Sequence, residues 1–180
     1  MNDDWYNMSI FQNNLKSLKA TSRDDCNDVY MTEDLSLVIS FDDVMKEYLS
    51  SRGCQDEALQ SVDAIARFDE RPFFIEFKNG RLNNKETKLE IYGKIKDSLL
   101  VFGDITNSTI SFTRKCAEFI LVYNLSKNIP HYRDSINKYI LSYAKEEHAR
   151  FGFARYKNAY FKDVHTYSED EFEVFLRRYV

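Results

Sequence analysis

Glycine and proline are scarce in this 180-residue sequence, which contains five glycines and two prolines. This composition argues against long linkers and low-complexity segments. The sequence also lacks an apolar run of the roughly 20 residues that a membrane-spanning helix needs. Its first ten residues are acidic and contain no signal-peptide core. We therefore expect a single domain over residues 1–180, located in the cytoplasm and without contact to a membrane.

Cysteine and histidine are few and give no recognisable site. The three cysteines are scattered without a Cys-x-x-Cys pair, and we expect them to be reduced, as in a cytosolic protein. The three histidines are far apart in the sequence, and no glycine-rich phosphate loop is present. The sequence therefore offers no signature of a zinc site or of a P-loop nucleotide site.

The net charge of −4 is unevenly distributed along the chain. Residues 1–70 carry 15 acidic and six basic residues, whereas residues 71–180 carry 14 acidic and 19 basic residues. A basic region can attract an anionic partner, but the solvated faces of an ordinary globular protein show the same pattern. On charge alone, both interpretations stay open.

Helices are predicted on both sides of residues 60–80. Residues 40–51 combine a candidate N-cap at Ser40 with an apolar stripe. In residues 84–102, apolar residues recur every three or four positions, as on one face of a helix. Residues 117–123 form a near-continuous apolar run, which predicts a strand buried on both faces. These elements together indicate an α/β (α+β) fold.

The C-terminal part, residues 126–180, is predicted to add a helix, a hairpin and a closing helix. Residues 131–147 have helical periodicity, and alternation within residues 148–162 favours strands. Ser168 and Glu171 have the spacing of a capping box at the start of the closing helix.

The central pattern is a β-hairpin. Residues 61–68 and 73–78 alternate between two faces, and residues 69–72 between them are turn-like. With that loop, three apolar pairs lie opposite each other: Phe68 with Phe73, Ala66 with Ile75, and Ala64 with Phe77.

The same register places three ionisable side chains on one face of the hairpin. Asp63 lies opposite Lys78, and Glu76 lies two residues along the strand. Side chains two apart on a strand are roughly 6.6 Å apart, and cross-strand neighbours have Cβ atoms about 5 Å apart. Two carboxylates at this separation can share a divalent metal beside an ammonium. The alternative is a simple Asp63–Lys78 ion pair, but Glu76 lies inside FFIEF, where an idle carboxylate is costly.

The order helix, hairpin, long helix, buried strand, with Asp63 followed thirteen residues later by Glu76-x-Lys78, resembles the PD-(D/E)xK nuclease superfamily over roughly residues 40–125. The resemblance implies a restriction-endonuclease-like αβββαβ core, with a central mixed sheet flanked by helices. It also implies hydrolysis of phosphodiester bonds with Mg²⁺ or Mn²⁺. Asp63 and Glu76 would be metal ligands, and Lys78 the lysine that positions and activates the attacking water.

Two features depart from the pattern of that superfamily. Val62 stands where the proline that gives the motif its name would be. The acid that members often supply from the first helix corresponds to Glu47 or Glu57, and the sequence does not decide between them. Either residue is therefore a candidate additional metal ligand.

Nucleic acid is the partner that these features predict, with DNA in preference to RNA. Lys85, Lys88 and Lys94 lie on the flanks of the long predicted helix, where they could line a path for a phosphate backbone. Arg155 and Lys157 alternate with aromatic residues that could stack on bases. Each of these patterns is also typical of a solvated or half-buried face. A homodimer is a further expectation for the assembly.

The alternative function is a binding module without catalysis. In that interpretation the nuclease-like fold acts as an immunity, inhibitor or assembly protein and binds a protein partner. The acidic residues 1–70 motivate it, because an acidic surface can occupy the basic site of a toxin or of a nucleic-acid enzyme.

Overall fold

A six-stranded mixed β-sheet is the centre of the fold. The structure is a computed structural model that describes residues 5–55, 58–128 and 149–179. Its strands are β1 (Leu15–Ser17), β2 (Arg23–Asp24), β3 (Val29–Tyr30), β4 (Leu37–Ser40), β5 (Ala64–Phe68), β6 (Arg71–Lys78), β7 (Glu118–Tyr123) and β8 (Asp163–Ser168). The sheet has the order β1-β4-β5-β6-β7-β8, and β2 and β3 form a separate small hairpin. Pairing is antiparallel from β1 to β6 and parallel from β6 to β8.

Helices flank the sheet, so the predicted α+β class with a central mixed sheet is confirmed. They are α1 (Ser9–Gln12), α2 (Leu18–Thr21), α3 (Phe41–Ser51), α4 (Lys85–Thr106), α5 (Ile110–Cys116), α6 (Leu125–Asn128) and α7 (Glu169–Leu176), with 3₁₀ segments at Trp5–Asn7 and Arg150–Tyr156. The order α3, β5, β6, α4, β7 is the predicted sequence of helix, hairpin, helix and strand. The more specific restriction-endonuclease-like core stays a prediction.

Local sequence explains where the two long helices begin and end. At the start of α3 the Ser40 backbone is extended, and after its end Gly53 has a φ of +68°, a conformation that glycine adopts without strain. The Asn84 side chain caps α4 by accepting a hydrogen bond from the Glu86 N–H at 2.7 Å. Both helices confirm the sequence prediction, but the Ser40 side chain makes no capping hydrogen bond and instead donates one to Asp43 Oδ2.

Each face of the sheet supports its own apolar core. One face packs under α3 and α4, around Phe74, Ile91 and Phe119, and the other packs under α7, around Phe73 and Ile120. Every residue of β7 is buried. The predicted strand with two buried faces is therefore confirmed, and it explains why this segment lacks polar alternation.

The hairpin forms, but its predicted register is wrong by two residues. Asp69 and Glu70 alone make the turn, with φ of 47° and 62°, so that Phe68 pairs with Arg71 and Ala66 with Phe73. Two consecutive residues with positive φ are typical of a type I′ turn, which matches the twist of the flanking strands. A shift of two residues keeps every side chain on its predicted face. It changes only which residues lie opposite each other.

The predicted C-terminal hairpin is also wrong. Residues 150–156 form the 3₁₀ segment, in which Gly152 has a φ of 87° that interrupts any extended chain. Phe153 and Phe161 are fully buried and lie against the Phe119 ring, at centroid distances of 6.1 and 5.6 Å. Their burial reflects two aromatic anchors on the sheet rather than strand alternation.

The chain then returns as β8, parallel to β7, and ends in α7. The predicted capping box is confirmed, because Ser168 and Glu171 exchange side-chain and backbone hydrogen bonds at the start of α7. The predicted helix over residues 131–147 lies outside the described residues. Within the described ranges, no helix is both long and apolar enough to cross a bilayer.

Replacing Glu70 by glycine is predicted to stabilise the fold. An L-residue in the left-handed region is strained by about 1 kcal/mol, and glycine removes that strain. We expect Glu70→Gly to raise the free energy of unfolding by about 1 kcal/mol in urea denaturation. Glu70→Ala is the matched control, because it also removes the 3.3 Å ion pair with Arg67 but keeps the strain. An equal gain in the alanine variant would contradict the prediction.

Candidate active site

Asp63 is fixed at the entrance of β5 by two contacts with the backbone of neighbouring elements. Its Oδ2 accepts a hydrogen bond from the Phe77 N–H at 2.6 Å, and its main-chain carbonyl accepts one from the Phe41 N–H at 3.1 Å. The side chain is 15% exposed. The carboxylate therefore has a defined position at the end of β6, with one oxygen left for another partner.

Glu76 lies inside β6, on the face of the sheet that α4 covers. Its side chain is fully buried, and Ala64 pairing with Ile75 brings Glu76 to the position opposite Asp63. Oε1 accepts a hydrogen bond, but Oε2 has no hydrogen-bond partner among the described residues. A buried carboxylate oxygen without a hydrogen-bond partner is costly, because the loss of its hydration is not compensated.

Lys94 supplies the ammonium that joins the two acids. Its Nζ lies 2.8 Å from Glu76 Oε1 and 3.4 Å from Asp63 Oδ1. The helix places it there because Ile91 and Ile95 are buried on the sheet side of α4 and Lys94 lies on the flank beside them. The sequence prediction assigned Lys94 to a nucleic-acid path and missed this contact. Its position beside the apolar stripe was the available signal.

The acid pair has strongly perturbed protonation. Burial, followed by the charge of Asp63, raises the pKa of Glu76 to about 8. Burial also raises the pKa of Asp63 to about 6, against the lowering effect of the nearby Lys94 ammonium. The two carboxylates raise the pKa of Lys94, so that lysine stays charged. One cation shared by two buried acids favours keeping a proton on the pair near neutral pH.

Lys78 lies at the same end of β6, but it makes a different ion pair. Its Nζ contacts the two carboxylate oxygens of Glu90 on α4 at 3.0 and 3.1 Å. The structure therefore brings together Asp63 and Glu76, as the sequence predicted. The lysine that contacts them is Lys94 rather than Lys78.

Of the two proposed third acids, only Glu47 can be located, and it does not contact the pair. Glu47 is exposed on α3, where its carboxylate accepts a hydrogen bond from Asn14 Nδ2 at 2.7 Å. Glu57 lies outside the described residues. The acid of α3 that does influence the site is Asp42, whose charge adds to the rise in the pKa of Asp63. In the described part of the chain, no group of three or more Asp, Glu, His or Cys side chains could hold a metal ion.

An open cleft of about 410 Å³ gives access to this corner of the sheet. Its walls include Asp63, Lys78 and Asn79 from the central hairpin, and Arg23, Asp24 and Asn27 from the small β2–β3 hairpin. Asn79 joins the two walls by donating a hydrogen bond to Asp24 Oδ2 at 2.8 Å. Asp63 is thus the member of the acid pair that meets the cleft, and Glu76 lies behind it.

The predicted nucleic-acid residues fall into two groups. Lys85 and Lys88 lie on the N-terminal half of α4, and Arg155 lies close by, with its guanidinium 3.8 Å from the ring centre of Tyr92. Lys157 instead forms an ion pair with Asp163 at 3.0 Å. The two basic stretches predicted from the sequence therefore meet at α4.

The chain was compared with family models, with curated proteins and with solved structures, and none of them matches it. What can be inferred about the site thus depends on its own chemistry. The site contains two carboxylates of unequal exposure and one ammonium, and a cleft adjoins it. Such ionisable groups can bind a cation or exchange a proton.

The stability of the protein is predicted to fall with rising pH because of Glu76. The unfolded carboxyl titrates near its ordinary value of 4.5 and the folded one near 8, so the folded state binds more protons between these values. We expect the free energy of unfolding to fall on the order of 2 kcal/mol from about pH 5 to about pH 8, measured by urea denaturation. Glu76→Gln should flatten this dependence, whereas the exposed-site control Glu47→Gln should keep it. A fall of the same size in Glu76→Gln would refute the assignment.

Proposed function

We propose that this chain is a metal-dependent phosphodiesterase that acts on nucleic acid, as the resemblance to the PD-(D/E)xK nucleases implies. The observation that carries the proposal is the pair of Asp63 and Glu76, held opposite each other on adjacent strands beside a cleft. Phosphodiester hydrolysis needs a metal to generate hydroxide and to offset the charge that develops on the phosphate oxygens. A carboxylate pair next to a lysine is suited to this chemistry.

The donor atoms fit a hard divalent cation. Mg²⁺ and Mn²⁺ favour oxygen ligands, and Mg²⁺ keeps several waters, so two carboxylates can form a sufficient protein contribution. The unpaired Glu76 Oε2 and the cleft-facing carboxylate of Asp63 are the groups that would hold the ion. When bound, the ion would polarise the phosphate and lower the pKa of a water.

The remaining groups of the site have roles that follow from their contacts. The Phe77 N–H fixes the orientation of Asp63, so that the second carboxylate oxygen can face the ion. The Lys94 ammonium, already 2.8 Å from Glu76, can stabilise negative charge on a phosphate or orient a water. Lys78 lines the cleft and can contact a phosphate if it leaves Glu90.

The proposal includes a cytoplasmic location, DNA in preference to RNA as substrate, and a homodimer as a candidate assembly. The three cysteines Cys26, Cys54 and Cys116 are all free, as a reducing compartment would keep them. The surplus of basic residues after residue 70 supports an anionic substrate.

Cleavage of nucleic acid should require both acids. We expect the wild type to cleave single- or double-stranded DNA or RNA in the presence of Mg²⁺ or Mn²⁺ and to be inactive with EDTA. Asp63→Asn and Glu76→Gln should each lower the rate at least about 100-fold, because each removes a ligand that acts in the transition state. Gel electrophoresis of labelled substrates measures the rate.

Glu47→Gln is the matched control for this experiment. It removes a glutamate that the sequence also nominated as a ligand but that lies on the surface of α3, so the rate should be unchanged. Circular dichroism establishes that each variant is folded. If all substrates stay intact with every metal, or if both acid variants retain full activity, the proposed function is wrong.

The two lysines of the site should contribute unequally. Lys94→Ala removes the ammonium that contacts both acids and should lower cleavage at least about 100-fold. Lys78→Ala leaves that contact intact and should lower cleavage less than Lys94→Ala does, mainly through the Michaelis constant. The reverse order of effects would assign the catalytic role to Lys78.

A protein-binding role without catalysis is the second candidate function. The observation that favours it is the Lys94 ammonium itself, which lies between the two carboxylates at the place where a bridging cation would bind. Titration calorimetry with Mg²⁺ and Mn²⁺ separates the candidates. The absence of metal binding in both the wild type and Lys94→Ala would support the binding module, and binding that is lost in Glu76→Gln would support the enzyme.

A further inference from the structure

The flank of α4 that carries Tyr92 forms a surface with residues 155–162, which we call the tyrosine surface. Tyr92 contacts the rings of Phe153 and Tyr156, at centroid distances of 5.2 and 5.5 Å. Arg155 lies over Tyr92 and donates a hydrogen bond to the Tyr156 hydroxyl at 3.1 Å. These contacts hold an exposed guanidinium over the Tyr92 ring, and the bond to Tyr156 is the one side-chain hydrogen bond that it donates among the described residues.

Tyr160 extends the tyrosine surface with a second stacked ring. Its ring stacks on Tyr156 with a centroid distance of 5.3 Å and an interplanar angle of 21°. Tyr160 is only half-buried, whereas Tyr156 beneath it is buried. A partly exposed ring supported from below is a platform on which another flat group can stack.

Four basic residues of α4 and of residues 155–162 have no acidic partner among the described residues. Lys85, Lys88, Arg155 and Lys162 form no ion pair with any acid in the described ranges. Lys88 precedes Tyr92 by four residues on α4, so both side chains lie on the same face of the helix. By contrast, the charge of Lys157 is balanced by Asp163. The tyrosine surface is therefore both aromatic and positively charged.

The tyrosine surface is separate from the acid pair. Tyr92 and Lys94 are two residues apart on α4, which places their side chains on opposite flanks of the helix. The tyrosine surface and the acid pair therefore lie on different flanks of α4.

We propose that the tyrosine surface binds single-stranded nucleic acid, with a base stacked on Tyr160 and phosphates on Lys88 and Arg155. This inference builds on the proposed function and adds the class of substrate. Stacking on a side chain needs an unpaired base, because a duplex hides the faces of its bases.

Fluorescence anisotropy with a labelled oligothymidine, in EDTA, tests the inference without cleavage. We expect the wild type to bind the single strand more tightly than a duplex of the same length. Arg155→Ala and Tyr160→Leu should each weaken binding about fivefold or more, because each removes a stacking or phosphate contact. Tyr160→Leu keeps an apolar side chain against the core, and the exposed Arg155 offers a variant that does not depend on core packing.

Salt dependence identifies the phosphate contacts. Lys88→Ala should lower the slope of log affinity against log salt by about 0.7, the value for one phosphate on a single strand. Arg177→Ala is the matched control, because this exposed arginine follows α7 on the opposite face of the sheet. It should leave affinity and slope unchanged.

The inference is overturned by no binding of the single strand, by equal or tighter binding of the duplex, or by variants of the tyrosine surface that bind as the wild type does. Cleavage of nucleic acid is tested separately from this binding. If the protein binds the single strand but cleaves no substrate, the proposed function is rejected and this inference is kept. If cleavage is unchanged by Arg155→Ala and Tyr160→Leu, this inference is rejected and the proposed function is kept.

Discussion

One ammonium between two buried carboxylates is the contact on which the centre of this fold depends. Glu76 is fully buried in β6, and Lys94 is the one cation hydrogen-bonded to it among the described residues. Removing one partner of such a pair costs about 3–5 kcal/mol, because the other charge is left buried without compensation. The rotation of α4 about its axis is therefore restricted by charge as well as by its apolar stripe. Asp63, which is held in place by the Phe77 N–H, restricts that rotation further because it also contacts Lys94.

Alternation in the sequence predicts the faces of the central hairpin but not its register. A slip of one residue would expose the apolar face, whereas a slip of two residues leaves every face unchanged. The choice therefore depends on the turn. Asp69 and Glu70 adopt positive φ although neither is glycine, and Pro72 belongs to β6 at its edge, before pairing with β7 begins. Neither feature has a strong local signal, because the usual residues of such a turn are asparagine and glycine.

The site was predictable to the extent that it lies on one hairpin. Asp63 and Glu76 share a face by strand periodicity, so they are near each other in either register, although the prediction placed Lys78 rather than Glu76 directly opposite Asp63. The contact with Lys94 depends on how α4 docks on the sheet, which periodicity does not determine. Lys78 has the spacing of the nuclease motif, yet Glu90 one helix away is its partner. A lysine side chain is long and flexible, so the packing of helices and strands determines which carboxylate it contacts. A sequence motif does not contain that information.

Stability does not explain why Asp63, Glu76 and Lys94, which we call the triad, are present. Apolar residues of similar volume in place of a buried ion pair are often neutral or stabilising, and Glu76 Oε2 carries the additional cost of an unpaired buried oxygen. The surrounding strand is otherwise apolar, with Phe74, Ile75 and Phe77 all buried. Glu76 is the exception to the apolar pattern of its strand, and it lies behind a residue that lines the cleft. Local exceptions of this kind are expected at functional sites. For this reason the triad, rather than the fold, is the strongest support for the proposed chemistry.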